Sequence, residues 1–293
     1  MNITEKQDIQ KALIAFIGRY ESQAKACASL RDVSEATIIN MKSGKWDNIS
    51  DGKWRTVAKQ IGMDNQLSRF VETMDFNTLI LYFDLAREEG ATFAITAPAG
   101  YGKTFTGKWY ADSMKGKPVY YLQCASYWNK KYFLVELGKA MGINYRGMSV
   151  YDLMENIISE LRTQDQPLII LDEIDKLKDE VLLFFITFYN ELNGLCGIVW
   201  TSTDAIKRRI EKGIRLNKMG YEEVYRRIGR RFIPLSGTNQ QEVEELCEMY
   251  GINGAEEINR IRNEYQGDIS RIDREHLKKK AIGKFESTRS KRA

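Results

Sequence analysis

Ala97-Pro98-Ala99-Gly100-Tyr101-Gly102-Lys103-Thr104 follows the apolar run Thr92-Phe93-Ala94-Ile95-Thr96 and opens a segment that reads as a helix. A strand, a glycine-containing turn and a helix start together make a phosphate site. Gly100 and Gly102 let the backbone curl so that successive N–H groups point inward, and the free N–H groups of the first helical turn add partial positive charge. Lys103 supplies a full charge for the β- and γ-phosphates of a nucleotide, and the Thr104 hydroxyl is placed to ligate Mg²⁺. Ala99, Tyr101 and Phe105 complete the stretch expected against the nucleotide. The phosphate-loop pattern asks for glycine at its first position, which here holds Ala97.

A second stretch supplies the acids such a site needs. Pro167-Leu168-Ile169-Ile170-Leu171-Asp172-Glu173-Ile174-Asp175 is a continuous apolar run ending in carboxylates, the pattern of a strand buried on both faces whose end opens onto a ligand crevice. Asp172 is expected to hold the Mg²⁺ through water and to touch the bound nucleotide's environment. Glu173 is expected to polarise the water that attacks the γ-phosphate.

Composition bounds the rest. At 293 residues, 43% hydrophobic and 29% charged, the chain has room for two or three folded domains and is neither fibrous nor broadly disordered. Cys27, Cys124, Cys196 and Cys247 are too scattered for a disulfide framework or a zinc site, and read as reduced interior residues. His276, among Arg274, Glu275 and Lys278, reads as a solvated helix residue. No basic segment followed by an apolar core opens the chain, and no run is long enough to cross a bilayer, so a cytoplasmic protein without a membrane partner is expected. The net charge of +4 is modest. Its placement says more, because basic residues crowd Lys207 to Arg231 and Lys278 to Arg292.

Along the chain, residues 1–63 read as helices: Thr4 to Tyr20 with Ile9, Leu13, Phe16 and Ile17 at helical spacing, a short small-residue helix from Ser22, a turn at Arg31-Asp32-Val33, a helix from Ser34 to Met41 with Ser34 as N-cap, and a fourth around Trp54 to Ile61. This arrangement resembles a repressor-like helix-turn-helix. Thr37, Asn40 and Lys42 would then lie on the helix that enters a major groove. A helical protein-contact module is the other reading of the same residues. Residues 64–76 read as a linker, 77–236 as an α/β core with a helix from Asn77 to Glu89, 237–285 as a helical lid, and 286–293 as a basic tail. Strands are expected at Pro118 to Cys124, Cys196 to Trp200 and Phe232 to Leu235, between helical patterns at 131–141, 150–162 and 181–192. Alternating strands and helices imply a parallel sheet.

With these residues assembled, residues 77–285 resemble an AAA+ P-loop ATPase module, an α/β fold with a parallel sheet and a small helical lid that uses ATP and Mg²⁺. Lys103 and Thr104 match the phosphate loop, and Asp172 and Glu173 the acidic pair. Thr203 or Thr201, at the polar end of a strand, matches the sensor position. Arg226-Arg227-Ile228-Gly229-Arg230-Arg231-Phe232 stands where the family places an arginine that acts on a neighbouring subunit's nucleotide. Arg231 is the first choice, with Arg230 and Arg227 behind it, and a homo-oligomer, a ring or helical filament, is implied. Gly267-Asp268-Ile269-Ser270-Arg271 resembles the lid motif whose arginine touches the γ-phosphate, although Ser270 occupies that position and Arg271 falls one later.

A helix-turn-helix domain ahead of such a module resembles the phage Mu transposition protein B group and the related helper ATPases of other transposons. The resemblance implies an ATPase that assembles on double-stranded DNA with little sequence preference and delivers it to a transposase. Tyr127-Trp128-Asn129-Lys130-Lys131-Tyr132 lies where relatives place a DNA-facing element, and Lys130, Lys131 and Arg146 are the candidates for phosphate contact. The same aromatics could instead be core, with the lysines merely solvated. A helicase-loader or initiator-like ATPase, or a signalling switch with a protein-binding helical domain, would share most of these motifs.

Overall fold

The computed structural model of the chain describes residues 3–18, 20, 22–30, 33–46, 49–61, 70–252, 254–265 and 268–290. The chain divides into two compact units, Met1–Phe70 and Val71–Ala293. Residues 64–69 of the expected linker, Arg31 and Asp32 of the expected turn, Gly267 of the lid motif and tail residues 291–293 lie outside the described residues.

The first unit packs α1 (Ile3–Ile17), α2 (Gln23–Ala28), α3 (Glu35–Ser43) and α4 (Asp51–Gln60) around Leu13, Ile38, Met41, Trp54 and Val57. Serines start the two middle helices. Ser22 Oγ accepts from the Lys25 N–H and Ser34 Oγ from the Thr37 N–H, each at 3.2 Å, satisfying donors that a helix start leaves open.

The second unit has the AAA+ P-loop fold, built on a five-stranded parallel sheet. Its strands are β1 (Thr92–Thr96), β2 (Val119–Gln123), β3 (Leu168–Asp172), β4 (Gly197–Ser202) and β5 (Ile233–Pro234), in the order β2-β3-β4-β1-β5. β4 therefore separates the strand before the phosphate loop from the strand that ends in the acids. The register aligns Gln123 with Asp172, Asp172 with Thr201, and Thr96 with Ser202, bringing the polar carboxyl ends to one edge.

Alternation along β3 and β4 divides the core. Leu168, Ile170 and Val199 pack with Leu79 and Phe83 of α5 (Met74–Glu89) and Tyr110 of α6 (Lys103–Ser113). Ile169, Leu171, Ile198 and Trp200 face the other layer. That layer comprises α7 (Lys130–Met141), α8 (Val150–Thr163), α9 (Asp179–Leu192), α10 (Ala205–Arg215) and α11 (Tyr221–Arg227). The lid helices α12 (Gln240–Met249), α13 (Ala255–Tyr265) and α14 (Ile269–Ser290) have a separate core of Val243, Leu246, Cys247, Ile252, Ile261 and Ile272.

Some elements differ from expectation. α5 begins at Met74 rather than Asn77, because Thr73 caps it by accepting from the Phe76 N–H at 3.2 Å. α10 and α11 were not expected as helices; their apolar positions, Ile206, Ile210, Val224 and Ile228, are spaced at helical intervals among cations. β4 runs on through Thr201 and Ser202, and α14 continues to Ser290. His276 is not simply solvated: its Nδ1 lies 3.0 Å from the Tyr250 carbonyl and its ring packs on Tyr250. All four cysteines are buried and free. No described helix is long and apolar enough to cross a membrane.

Candidate active site

The site forms because β1 ends directly in the phosphate loop. Ala97 is buried and its N–H donates to the Ser202 carbonyl at 3.1 Å, so the loop leaves the sheet as an extension of the β1–β4 pairing. Positive φ falls at Gly100 and Gly102, +86° and +77°, and not at Ala97. The curl therefore needs glycine at the later two positions and tolerates a methyl group at the first. Gly102 is the N-cap of α6 and provides no side-chain cap, leaving the first-turn N–H groups to an anion.

Lys103 decides what kind of ligand fits. Its side chain is buried, and Nζ donates to the carbonyls of Ala97 and Pro98 at 2.7 Å each. Among the described residues no carboxylate pairs with it. Burial pulls its pKa below the ordinary lysine value, while Asp172, Asp175, Asp204 and Asp75 oppose that shift from a distance. A buried ammonium held only by carbonyl dipoles leaves room for a negatively charged partner.

Asp172 is fully buried and saturated with donors. Oδ2 accepts from the Thr104 hydroxyl at 2.6 Å and the Tyr121 hydroxyl at 2.7 Å; Oδ1 accepts from Thr201 at 2.6 Å and the Glu173 N–H at 3.0 Å. Burial, followed by the charge of Asp172, pushes the Tyr121 phenol far above its ordinary value, so it remains a donor. Thr104 and Asp172 thus stand together as an oxygen pair of the kind that would hold Mg²⁺. The residues present fit a nucleoside triphosphate with Mg²⁺.

Glu173 stands in the left-handed region, φ +56°, between β3 and a 3-10 turn, Ile174–Lys176. Its carboxylate accepts from Gln123 Nε2 at 2.9 Å and pairs with Lys176 at 2.6 Å. Burial alone would raise its pKa, but the Lys176 and Gln123 hydrogen bonds outweigh that effect and hold it below the ordinary glutamate value. Thr203 donates to Asp175 at 2.7 Å, whereas Thr201 reaches Asp172. The two sensor candidates therefore serve different acids. Tyr121 and Gln123 were not anticipated from sequence, because only the pairing of β2 with β3 brings them to the acids.

The arginines separate clearly. Arg227 is buried, donates to Asn190 Oδ1 through Nε and Nη2 at 3.2 and 2.6 Å, pairs with Glu223 at 2.6 Å and stacks on Tyr189. Its guanidinium is thus engaged within the chain and, unlike those of the other two trans-acting candidates, buried. Arg230 and Arg231 are exposed, Arg230 pairing with Glu222 at 3.3 Å. Arg271 also departs from expectation: it donates to the Glu264 carbonyl and lies 3.9 Å from Asp268, within the lid rather than on the phosphate loop. Asp268 and Ile269 reach that loop instead, the Ile269 N–H donating to the Gly100 carbonyl at 2.9 Å. Ala99 is exposed; Tyr101 and Phe105 are partly buried.

Of the DNA candidates, Lys130, Lys131 and Arg146 are exposed, as is Tyr127, while Trp128 is core. In the first unit, the Thr37 hydroxyl is 2.8 Å from Ser34 Oγ and Lys42 Nζ donates to Gln23 at 2.7 Å. Both are therefore engaged within the unit. Asn40 is partly exposed, and the outward face of α3 carries Glu35, Ala36 and Ile39.

Residues 86–208 match the family described as AAA domain. No curated protein matches the chain. Among solved structures, the chain is similar to the ORC2 protein of Aeropyrum pernix in its ADPNP and ADP complexes, at 19% identity over 62% of this chain and 52% of that one with a TM-score of 0.45. It is similar to AMPPCP-bound DnaA from Aquifex aeolicus at 17% identity over 75% and 69%, TM-score 0.48. A third is NtrX from Brucella abortus in complex with ATP, at 12% identity over 84% and 59%, TM-score 0.49. The chain spans between about half and about two thirds of the length of these solved chains. The match to the AAA domain spans the phosphate loop and the acids Asp172 and Glu173, the residues that fit ATP with Mg²⁺.

Proposed function

We propose that this chain is an AAA+ ATPase that binds double-stranded DNA with little sequence preference in its ATP state, assembles on it as an oligomer, and presents it to a transposase. The observation that carries the ATPase part is the buried Lys103 ammonium beside the Thr104–Asp172 pair, with Glu173 on the next residue. When bound, Mg²⁺ shields the phosphates and offsets charge that develops during transfer. Lys103 and the α6 N–H groups orient the phosphates, Thr104 and Asp172 hold the cation, and Glu173 accepts a proton from the attacking water. Arg231 completes the site of an adjoining subunit, with Arg230 as the second choice.

The DNA part rests on α7. Lys130 and Lys131 occupy its first turn without an acidic residue, where the helix dipole disfavours cations. Asn129 caps the helix from its side chain at 2.9 Å, so the lysines are not needed for its start and remain exposed for phosphate. The order of a helix-turn-helix unit before the AAA domain supports the transposase part.

The deciding experiment is binding to random duplex with ATP, with ADP and without nucleotide. ATP-dependent assembly on arbitrary DNA, prolonged in Glu173→Gln, is the expected result; absence of binding at every salt concentration rejects the proposal. Turnover stimulated by a transposase, against turnover stimulated by a replicative helicase, separates this reading from a helicase loader.

A further inference from the structure

The basic run after β4 belongs neither to the nucleotide site nor to α7. α10 buries Ile206, Ile210 and Gly213, and that register places Arg208, Lys212 and Arg215, at i, i+4 and i+7, along one exposed stripe. Glu211 flanks the stripe. At Gly213 a Cβ would stand 2.3 Å from the Tyr221 ring, so glycine lets α11 begin flush against the α10 backbone. This contact floors an open cavity of about 360 Å³, walled by Asp179, Arg208, Arg209, Lys212 and Lys218.

The charges of this cavity do not balance. Its carboxylate, Asp179, is already paired: Arg209 donates to it through Nε at 2.8 Å and through Nη2, and fixes itself further on the Leu177 carbonyl at 2.6 Å. Burial alone would raise the Asp179 carboxyl, but hydrogen bonds from Tyr221 and Arg209 hold it below the ordinary range. Arg208, Lys212 and Lys218 are exposed and, among the described residues, lie in no close ion pair, Lys218 acting on Asp179 only through its charge. Cations in excess of the one carboxylate on a concave surface repel one another and concentrate anions. Arg208 and Lys212 are spaced about 6 Å along the helix axis, in a line rather than around a point. That spacing suits successive oxyanions of a polymer better than one small anion.

We propose that the α10 stripe and its cavity bind the phosphodiester backbone of duplex DNA, as a contact separate from Lys130 and Lys131. The proposal rests on the DNA-binding reading above and adds a second surface to it. The test is the salt dependence of binding to a fluorescent random-sequence duplex with ATP, comparing the intact chain with Arg208→Gln/Lys212→Gln/Lys218→Gln and with Arg208→Lys/Lys212→Arg/Lys218→Arg. The glutamine variant should bind at least about tenfold more weakly and lose roughly 2–3 units of log–log salt slope, while the charge-preserving variant keeps the slope. ATP-induced thermal stabilisation should be equal in all three. An unchanged slope in the glutamine variant overturns the inference and leaves the DNA-binding reading standing; an intact chain that ignores duplex overturns both. Loss of nucleotide-driven self-association without DNA would assign the cavity to an acidic protein surface and also overturn it.

Discussion

Thr104 and Asp172 are 68 residues apart in sequence, yet the Thr104 hydroxyl donates to Asp172 Oδ2 at 2.6 Å. The phosphate loop and the acidic strand are thereby joined directly. Thr104→Val should keep the fold while removing one oxygen of the cation pair. The stabilisation that ATP confers with Mg²⁺ should then fall to the level seen with ATP and a chelator, as read by thermal shift. Full Mg²⁺-dependent stabilisation in this variant would sink the metal assignment.

Lys103→Met removes the buried charge without opening a large cavity. In the intact chain, ATP at about 100 times its Kd should stabilise the fold by about 2.7 kcal/mol. The variant should show almost none of this at the same concentration. Calorimetric titration checks that the loss is one of binding rather than of folding.

Lys176 and Gln123 both hold the Glu173 carboxylate, and together they outweigh burial in setting its acidity. With a depressed pKa, Glu173 stays ionised to lower pH than an ordinary glutamate, so a proton acceptor is available there. Lys176→Ala removes one lowering contact and leaves burial in place. The acid limb of the kcat profile should move to higher pH; a limb that does not move, or moves down, contradicts the role of Glu173 as base.

Arg227 and Arg231 should fail in different ways. Arg227→Ala strips a buried guanidinium from Asn190 and Glu223 and should cost about 1.5–3 kcal/mol of stability. Arg231→Ala should leave stability and ATP binding intact and abolish turnover. Mixing Arg231→Ala with Lys103→Ala protein should restore part of the activity, since one supplies intact nucleotide sites and the other intact arginines. Mixtures as inactive as their components would place the arginine elsewhere.

Asp75 is buried at the start of α5 and accepts from the N–H groups of Ser236 and Gly237, both at 2.9 Å. Asp75→Ala leaves those donors without partners at a cost of about 1–3 kcal/mol. Chemical denaturation should show the midpoint falling with an unchanged slope.

How much of this was legible depended on whether neighbours in space were also neighbours in sequence. Lys103, Thr104, Asp172 and Glu173 could be found because each pair terminates a local strand-to-turn pattern. The sheet could be inferred from β1 and β3, whose apolar runs have no other use. Tyr121 and Gln123 were hidden because their meaning depends on the pairing of β2 with β3. Arg227 looked like its neighbours until α11 turned it onto Asn190. In α10, the density of cations masked Ile206 and Ile210. Thr37 and Lys42 also hydrogen-bond to Ser34 and Gln23, side-chain pairings that helical spacing does not encode.

A methyl group added at Gly100 would stand 1.8 Å from Asp268 Oδ1, and the Ile269 N–H is bonded to the Gly100 carbonyl. The first residue of α14 is thus bonded to the loop peptide at Gly100. A side chain at Gly100 would therefore disturb two things at once, the curl of the loop and the seating of α14 against it.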